Sequence, residues 1–340
     1  VVTNEINERI KDDGLFFAGY PMSVESCFVG GNVAEDAGGG KAVKYGVTRD
    51  YVLGLSAVLP GGAIIATGVR TAKGVVGYDL TRLMAGSEGT LGVIVEMTLR
   101  LLPLPEAVGT MTALFDDMKK AARAVSEIVR QKIVPRTLEF IDNTSLRCVE
   151  KGLNLGLPVD AAAMLLIEVD GPPAANAGAL EKISSLCAQQ GAVLVKVAAS
   201  RQEAENLWRA RKAISPSLFN IAPDKINEDI VVPRSRIPDM VETLENMSRE
   251  TGLTIASFGH AGDGNIHVNV MLDKKDPDQM EKAKKAVDRL FDETLRLGGT
   301  ISGEHGIGVT KAPYMTKEVG AAELALMKQI KRLFDPNGIL

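Results

Sequence analysis

Residues 254–270 run Thr254-Ile255-Ala256-Ser257-Phe258-Gly259-His260-Ala261-Gly262-Asp263-Gly264-Asn265-Ile266-His267-Val268-Asn269-Val270. Thr254 to Phe258 and Ile266 to Val270 are short apolar runs joined by a Gly/Asp-rich turn, a pattern that predicts antiparallel neighbours. A strand points successive side chains to opposite faces, so Ile266, Val268 and Val270 take the core face while His267 and Asn269 share the other. The hairpin brings His260 near His267, which commits two of the chain's three histidines to one place.

Working outward, Val193 to Ala198 reads as a strand leading into Ser200-Arg201-Gln202-Glu203, a capping box that opens a helix. Asp117 opens an amphipathic helix carrying Met118, Ala122, Val125 and Val129, which must end before Pro135. Thr137 to Ile141 and Met164 to Val169 are strand-like, and a helix from about Ala174 stops at Gly191. Pro238 starts a helix that Gly252 ends, and a long one runs from about Asp278 to Gly298. The sum is α+β: helices packed on a largely antiparallel sheet.

The earlier part of the chain is built differently. Half of the 34 glycines fall at or before Gly92, whereas Thr110 to Glu250 is glycine-poor, so two architectures share one chain. Tyr51 to Leu59 and Ala63 to Thr67 form a hairpin about Pro60-Gly61-Gly62, and Val93, Val95, Met97, Leu99 and Leu101 alternate with polar residues as a strand does. Two glycine clusters, Gly30 to Gly40 and Gly86 to Gly92, suit either an anion cradle or tight turns. Neither has nucleotide-fingerprint spacing: Ala42 follows Gly40-Lys41, and a strand rather than a helix follows Gly92.

The length of 340 residues suits about two domains. A net charge of −4 speaks against a nucleic-acid partner, and no apolar run reaches the roughly 18 to 20 residues of a membrane span. The three cysteines are too scattered for a disulfide framework or an iron-sulfur cluster, so a reducing, cytoplasmic location is expected. No secretory signal precedes Val1, and a missing front piece is the alternative expectation.

The third histidine sits in Ser302-Gly303-Glu304-His305-Gly306-Ile307-Gly308. Two histidines and one glutamate make a ligand set for a divalent metal with open positions, leaving one histidine for proton transfer. Ala204, Leu207, Trp208 and Arg211 fall on one stripe of the helix begun at Ser200, which directs a guanidinium toward the apolar side. A substrate carboxylate held bidentately would satisfy it; so would an ion pair with Glu228 or Asp229, or the helix C-terminal dipole.

Six segments together resemble the FAD-linked oxidases and dehydrogenases of the vanillyl-alcohol oxidase type, in the branch of D-lactate dehydrogenase, glycolate oxidase FAD-binding subunit and D-2-hydroxyglutarate dehydrogenase. They are GGNVAEDAGG from Gly30, GYDLTRLMAGSEGTLGVI from Gly77, KINEDIVVP from Lys225, GHAGDGNIHVN from Gly259, GEHGIG from Gly303 and FDPNGIL from Phe334. The resemblance implies that residues 1–105 are the second half of a p-cresol methylhydroxylase (PCMH)-type FAD-binding domain. It implies a substrate or cap domain over 106–330, with a largely antiparallel sheet covered by helices, and a return segment over 331–340. Family members begin with a further stretch that carries a glycine-rich loop for the FAD pyrophosphate, and continue Asn-Pro-Gly-Lys beyond the position of Leu340; a fragment is therefore expected.

By the same resemblance Gly30, Gly31, Asn32, Gly38, Gly39, Glu88, Gly89 and Ile94 line FAD, and His260, His267 and Glu304 bind a divalent metal (Zn, Mn or Fe). His305 is the general base, Arg211, Lys225 and Asn269 hold the substrate acid, and Ser215 contacts it. The implied activity is oxidation of a small D-2-hydroxy acid to the 2-oxo acid. With no cluster-binding cysteines, the electrons are expected to pass to a separate partner, an iron-sulfur subunit or an electron-transferring flavoprotein. Homo-oligomerisation and peripheral membrane association are further expectations. Two other readings stay open: a metal-dependent hydrolase built on His/His/Glu, and a flavin-anchoring, non-catalytic subunit, against which the Glu304-His305 pair argues. An ether-lipid synthase is disfavoured because no run of consecutive histidines occurs.

Overall fold

The computed structural model describes every residue except Ala72. The chain divides into two compact units, one formed by Val1–Leu104 with Glu304–Leu340 and the other by Pro105–Gly303. By this division the second unit ends at Gly303, where the resemblance implies a cap domain over 106–330. The first unit holds the residues after Gly303 by local contacts: Glu88 accepts the Ile307 and Gly308 N–H groups, and Ile330 and Phe334 pack with Val33, Val52, Leu55 and Met84. Lys331 also donates to the Thr90 carbonyl at 2.8 Å.

In the first unit β1 (Leu15–Phe16) pairs with β5 (Leu102–Pro103), while β2 (Val52–Val58) lies between β3 (Ile64–Gly68) and β4 (Val93–Leu99). All these pairs are antiparallel, and the β2–β3 hairpin turns where Pro60-Gly61-Gly62 predicts. Gly30, Gly31 and Asn32 are not in a loop but in the helix Val29–Glu35.

The second unit is a seven-stranded sheet made of β6 (Ala107–Phe115), β7 (Thr137–Asp142), β8 (Ala163–Gly171), β9 (Leu194–Val197), β10 (Asp224–Val231), β11 (Ile255–Gly259) and β12 (Asn265–Leu272). Its order is β10-β12-β11-β7-β8-β6-β9, with every neighbour antiparallel. Strand alternation gives each face its own character. One face carries Met111, Ala113, Phe115, Leu138, Phe140, Leu165, Ile167, Val268 and Val270, all buried. The helices Met118–Arg130, Pro173–Gln189, Ile237–Thr251 and Pro277–Arg296 cover it.

The opposite face is mixed. Leu114, Ile141, Met164, Ala256, Phe258 and Met271 pack there against Leu146, Ala210, Ile214 and Leu218. Glu139, Asp229, His267 and Asn269 complete the same face and are buried with them. A buried carboxylate beside imidazoles and an amide costs stability unless each polar group finds a partner, so this is where the fold diverges from a plain hydrophobic core.

The helix carrying Arg211 starts where the sequence predicts. Ser200 accepts the Glu203 N–H at 3.2 Å, but the Glu203 carboxylate accepts from Ala199 at 2.8 Å rather than from Ser200 itself, so the capping box is displaced by one residue. Among the described residues no helix is long and apolar enough to cross a membrane.

Candidate functional site

The turn between β11 and β12 sets His260 in place. The His260 carbonyl accepts N–H groups from Asp263, Gly264 and Asn265, which closes the reversal tightly. Gly264 has φ +96°, and a Cβ there would stand 2.1 Å from the Val232 carbonyl oxygen, so no other residue type fits. The two rings that the hairpin predicts to be close are close: His260 and His267 stand edge to face, 5.2 Å between centroids.

Glu139, on β7, is the hub of this region. It is fully buried; its Oε1 lies 2.7 Å from His260 Nδ1, and its Oε2 accepts the Arg211 Nε–H at 2.7 Å, with Nη2 in ion-pair contact at the same distance. Burial pushes the Glu139 carboxyl up, but the charges and hydrogen bonds of His260 and Arg211 outweigh it and hold the group at about 2. Arg211 thus pairs with neither Glu228 nor Asp229. Only its Nε donates a hydrogen bond to Glu139; Nη2 is buried without a hydrogen-bond partner, which leaves that nitrogen a donor for a ligand.

The Arg211 guanidinium lies 4.9 Å from the Phe258 ring centroid, and that ring is 5.3 Å from the His267 ring. Across the β10–β12 pair Asp229 faces His267 and Asn227 faces Asn269. Asp229 Oδ1 is 3.8 Å from His267 Nδ1, and Asp229 Oδ2 accepts the Gly303 N–H at 2.8 Å. Glu304 and His305 follow Gly303 directly in the chain.

Asn269 is completely buried, and neither its amide nitrogen nor its oxygen has a hydrogen-bond partner. Leaving a buried polar group unpaired costs about 1–3 kcal/mol, so such a group calls for a ligand or other partner. Lys225, on the same face of β10, donates to Ser215 Oγ at 2.7 Å and to the Ser215 carbonyl at 3.1 Å, with its ammonium 5.3 Å from the Phe219 ring. Desolvation pulls the Lys225 pKa down.

In the first unit a Cβ on Gly38 would lie 3.3 Å from Glu304 Oε2. Glu88 adopts a left-handed φ of 51°, uncommon for a side-chain-bearing residue, and its carboxylate accepts N–H groups from Ile307 at 2.6 Å and Gly308 at 2.7 Å. Glu88 therefore holds the segment that carries His305, an exposed residue. Gly306 has a left-handed φ of 74°, which favours glycine there.

The remaining FAD candidates divide. Gly30, Gly31 and Gly89 present bare backbone to open space that a Cβ would begin to fill, as a closely approaching cofactor needs. Gly39 is packed instead, its Cβ position 2.6 Å from the Tyr20 carbonyl oxygen, and Asn32 spends its amide on Thr3 Oγ1 at 2.8 Å and Cys27 Sγ at 3.3 Å. Ile94 lies on β4 against the first unit's core. Sequence reasoning missed Glu139, Asp229 and Phe258 as members of the site. The signal for Glu139 was a lone carboxylate between Leu138 and Phe140 in a strand otherwise apolar up to Ile141.

The pattern of the FAD linked oxidases, C-terminal domain, matches residues 104–340, and that of an FAD binding domain matches residues 1–68. The glycolate oxidase subunit GlcD of Bacillus subtilis (strain 168) is 43% identical over 340 residues, covering 100% of this chain and 72% of the relative. The D-lactate dehydrogenase of Anaerostipes hadrus is 33% identical over 351 residues, covering 100% of this chain and 73% of the relative. The crystal structure of p-cresol methylhydroxylase with substrate bound shares the fold, with TM-score 0.78 at 15% identity over 100% of this chain and 73% of that one.

Proposed function

Because this chain belongs to the FAD-linked oxidases, we propose that it oxidises a small D-2-hydroxy acid, namely lactate, glycolate or 2-hydroxyglutarate, to the 2-oxo acid. The observation that carries the reading is Asn269, buried with both polar atoms unpaired on a sheet face that also bears Lys225 and His267, with the His260 ring 5.2 Å from that of His267. A hydroxy acid offers the donors and acceptors such an amide lacks.

When bound, FAD supplies the hydride acceptor, and a divalent metal supplies a Lewis acid for the substrate hydroxyl. His260, His267 and Glu304 are the proposed metal ligands; with Nδ1 of His260 turned to Glu139, ligation falls to its Nε2. Arg211 and Lys225 hold the substrate carboxylate, and Asn269 orients the acid. Ser215 accepts from the Lys225 ammonium through Oγ and keeps its own O–H to contact the substrate. His305 takes the hydroxyl proton. Gly30, Gly31 and Gly89 let the backbone approach FAD, and Glu88 anchors the segment that carries the base. The electrons then leave through a separate acceptor, an iron-sulfur subunit or an electron-transferring flavoprotein; the description of the Bacillus subtilis relative as a subunit supports a partnered enzyme.

The test is dye-coupled turnover of the full-length protein with D-lactate, glycolate and D-2-hydroxyglutarate, comparing wild type with Asn269→Leu. The expected result is activity on at least one acid and a rise in KM of tenfold or more in the variant. Wild-type kinetics in Asn269→Leu would remove the argument.

A further inference from the structure

We infer that Glu139 is a positioning residue that couples the metal-binding histidine to the carboxylate-binding arginine, so that one buried carboxylate sets the geometry of both subsites. The inference rests on the proposed function. It goes further by assigning a shared control to two subsites that this reading treats separately.

The geometry is specific. Three separate pieces of chain meet at one side chain: β7 supplies Glu139, the turn after β11 supplies His260, and the end of the helix Arg201–Lys212 supplies Arg211. Each carboxylate oxygen serves one partner, Oε1 the imidazole and Oε2 the guanidinium, all at 2.7 Å. A carboxylate on Nδ1 fixes the tautomer with its proton there, which makes Nε2 the basic nitrogen that a metal needs. The Nε–H hydrogen bond to Oε2, with Nη2 in ion-pair contact at 2.7 Å, holds the guanidinium against the carboxylate.

A second lock shows that Glu139 is not needed merely to hold the helix. Trp208, one turn before Arg211, donates Nε1–H to Glu168 Oε1 at 2.6 Å, and Glu168 is itself held by Thr110 Oγ1 at 3.0 Å. Ala210 of the same helix is embedded in the apolar cluster with Ile141, Met164 and Phe258. The rotation of the helix is thus set by Trp208 and Ala210, and Glu139 acts on the two functional groups.

Glutamine at position 139 is nearly isosteric but has one acceptor and one donor end, so it keeps Arg211 only by turning its amide N–H toward His260. With the amide N–H toward His260, the ring is pushed to the tautomer protonated on Nε2, which cannot ligate a metal.

The experiment compares full-length, FAD-loaded wild type, Glu139→Gln and Trp208→Phe by affinity for Mn²⁺ and Zn²⁺, by KM and kcat for the hydroxy acid, and by melting temperature. Glu139→Gln is expected to lose about 10–100-fold in metal affinity, the usual effect of removing a carboxylate behind a ligating histidine, and to raise KM. Trp208→Phe is expected to lower the melting temperature and leave metal affinity at the wild-type value. Wild-type metal affinity and KM in Glu139→Gln overturn the inference and leave the proposed function standing. Equal loss of metal affinity in Trp208→Phe also overturns it, because loosening of the helix would then account for both. Wild-type protein that turns over the acid without binding metal overturns the metal assignment and the coupling together. Should Glu139→Gln fail to fold, Arg211→Lys carries the test: metal affinity falls several-fold if Glu139 links the two groups, and an unchanged affinity refutes the link.

Discussion

Replacing Arg211 by leucine strands a charge. The Arg211 side chain is 5% exposed and its partner Glu139 0%, so the variant leaves a buried carboxylate with the His260 imidazole as its remaining partner among the described contacts. Breaking a buried ion pair from one side costs about 3–5 kcal/mol, most of it the penalty of the unpaired charge. For a unit the size of Pro105–Gly303, 1 kcal/mol moves the melting temperature by about 2–4 °C, so the expected loss is roughly 6–20 °C. The double variant Arg211→Leu/Glu139→Leu removes the stranded charge and is expected to regain most of that loss, since replacing both partners of a buried pair by apolar groups is often neutral or better. The single variant's deficit should also shrink at acid pH. With Arg211 gone, burial raises the Glu139 pKa, so the penalty is present above that pKa and is relieved as pH falls through it. Thermal and urea unfolding at neutral and acid pH measure all of this. A double variant no more stable than the single one, or a single variant within 1 kcal/mol of wild type, would refute the assignment of Glu139 and Arg211 as a mutually dependent buried pair.

Other consequences follow from the same groups. Lys225→Met is expected to raise the melting temperature at neutral pH while weakening acid binding. Folding depresses the Lys225 pKa, so its charge destabilises wherever the unfolded chain still holds the proton, and wild type closes the gap only as pH climbs toward the ordinary lysine range. Desolvation, and then the neighbouring Glu88, raise the Glu35 pKa. Glu35→Gln should therefore be more stable than wild type at pH 7, and the advantage should vanish as pH falls below the ordinary glutamate value; an advantage that is the same at both pH values argues against this origin. His305→Asn is expected to reduce turnover by about 10²–10⁴-fold with metal content unchanged, as loss of a general base does; parallel loss of metal would mean that His305 is a ligand instead.

Much of the second unit was legible because its hydrophobic pattern is local. Ile266, Val268 and Val270 alternate with His267 and Asn269, and the strand pairs as that alternation requires. Asp117 caps its helix through the Lys119 N–H, and Gly252 ends another in the left-handed conformation, both visible as single residues in sequence. β10 was hidden as a strand because Lys225, Asn227 and Asp229 fill the face turned to the site, which gives the segment a polar look. Glu139 was illegible for a related reason. A carboxylate in a strand ordinarily marks a solvent face, and only the helix bearing Arg211, packed against that face from 72 residues away, makes the position buried. The partner of Arg211 is a tertiary fact, so local spacing pointed to Glu228 and Asp229 instead. Gly30 and Gly31 mislead in the opposite direction: glycine suggests a loop, yet tertiary context makes this segment helical.

The central claim, that this FAD-linked oxidase acts on a 2-hydroxy acid, is tested most directly by the absorption spectrum of the full-length protein. It is recorded before and after anaerobic addition of D-lactate, glycolate and D-2-hydroxyglutarate, with metal analysis of the same sample. The account predicts oxidised flavin bands that bleach with at least one of the three acids, together with bound divalent metal. Flavin bands that none of the acids bleaches in a folded, metal-loaded protein would contradict it.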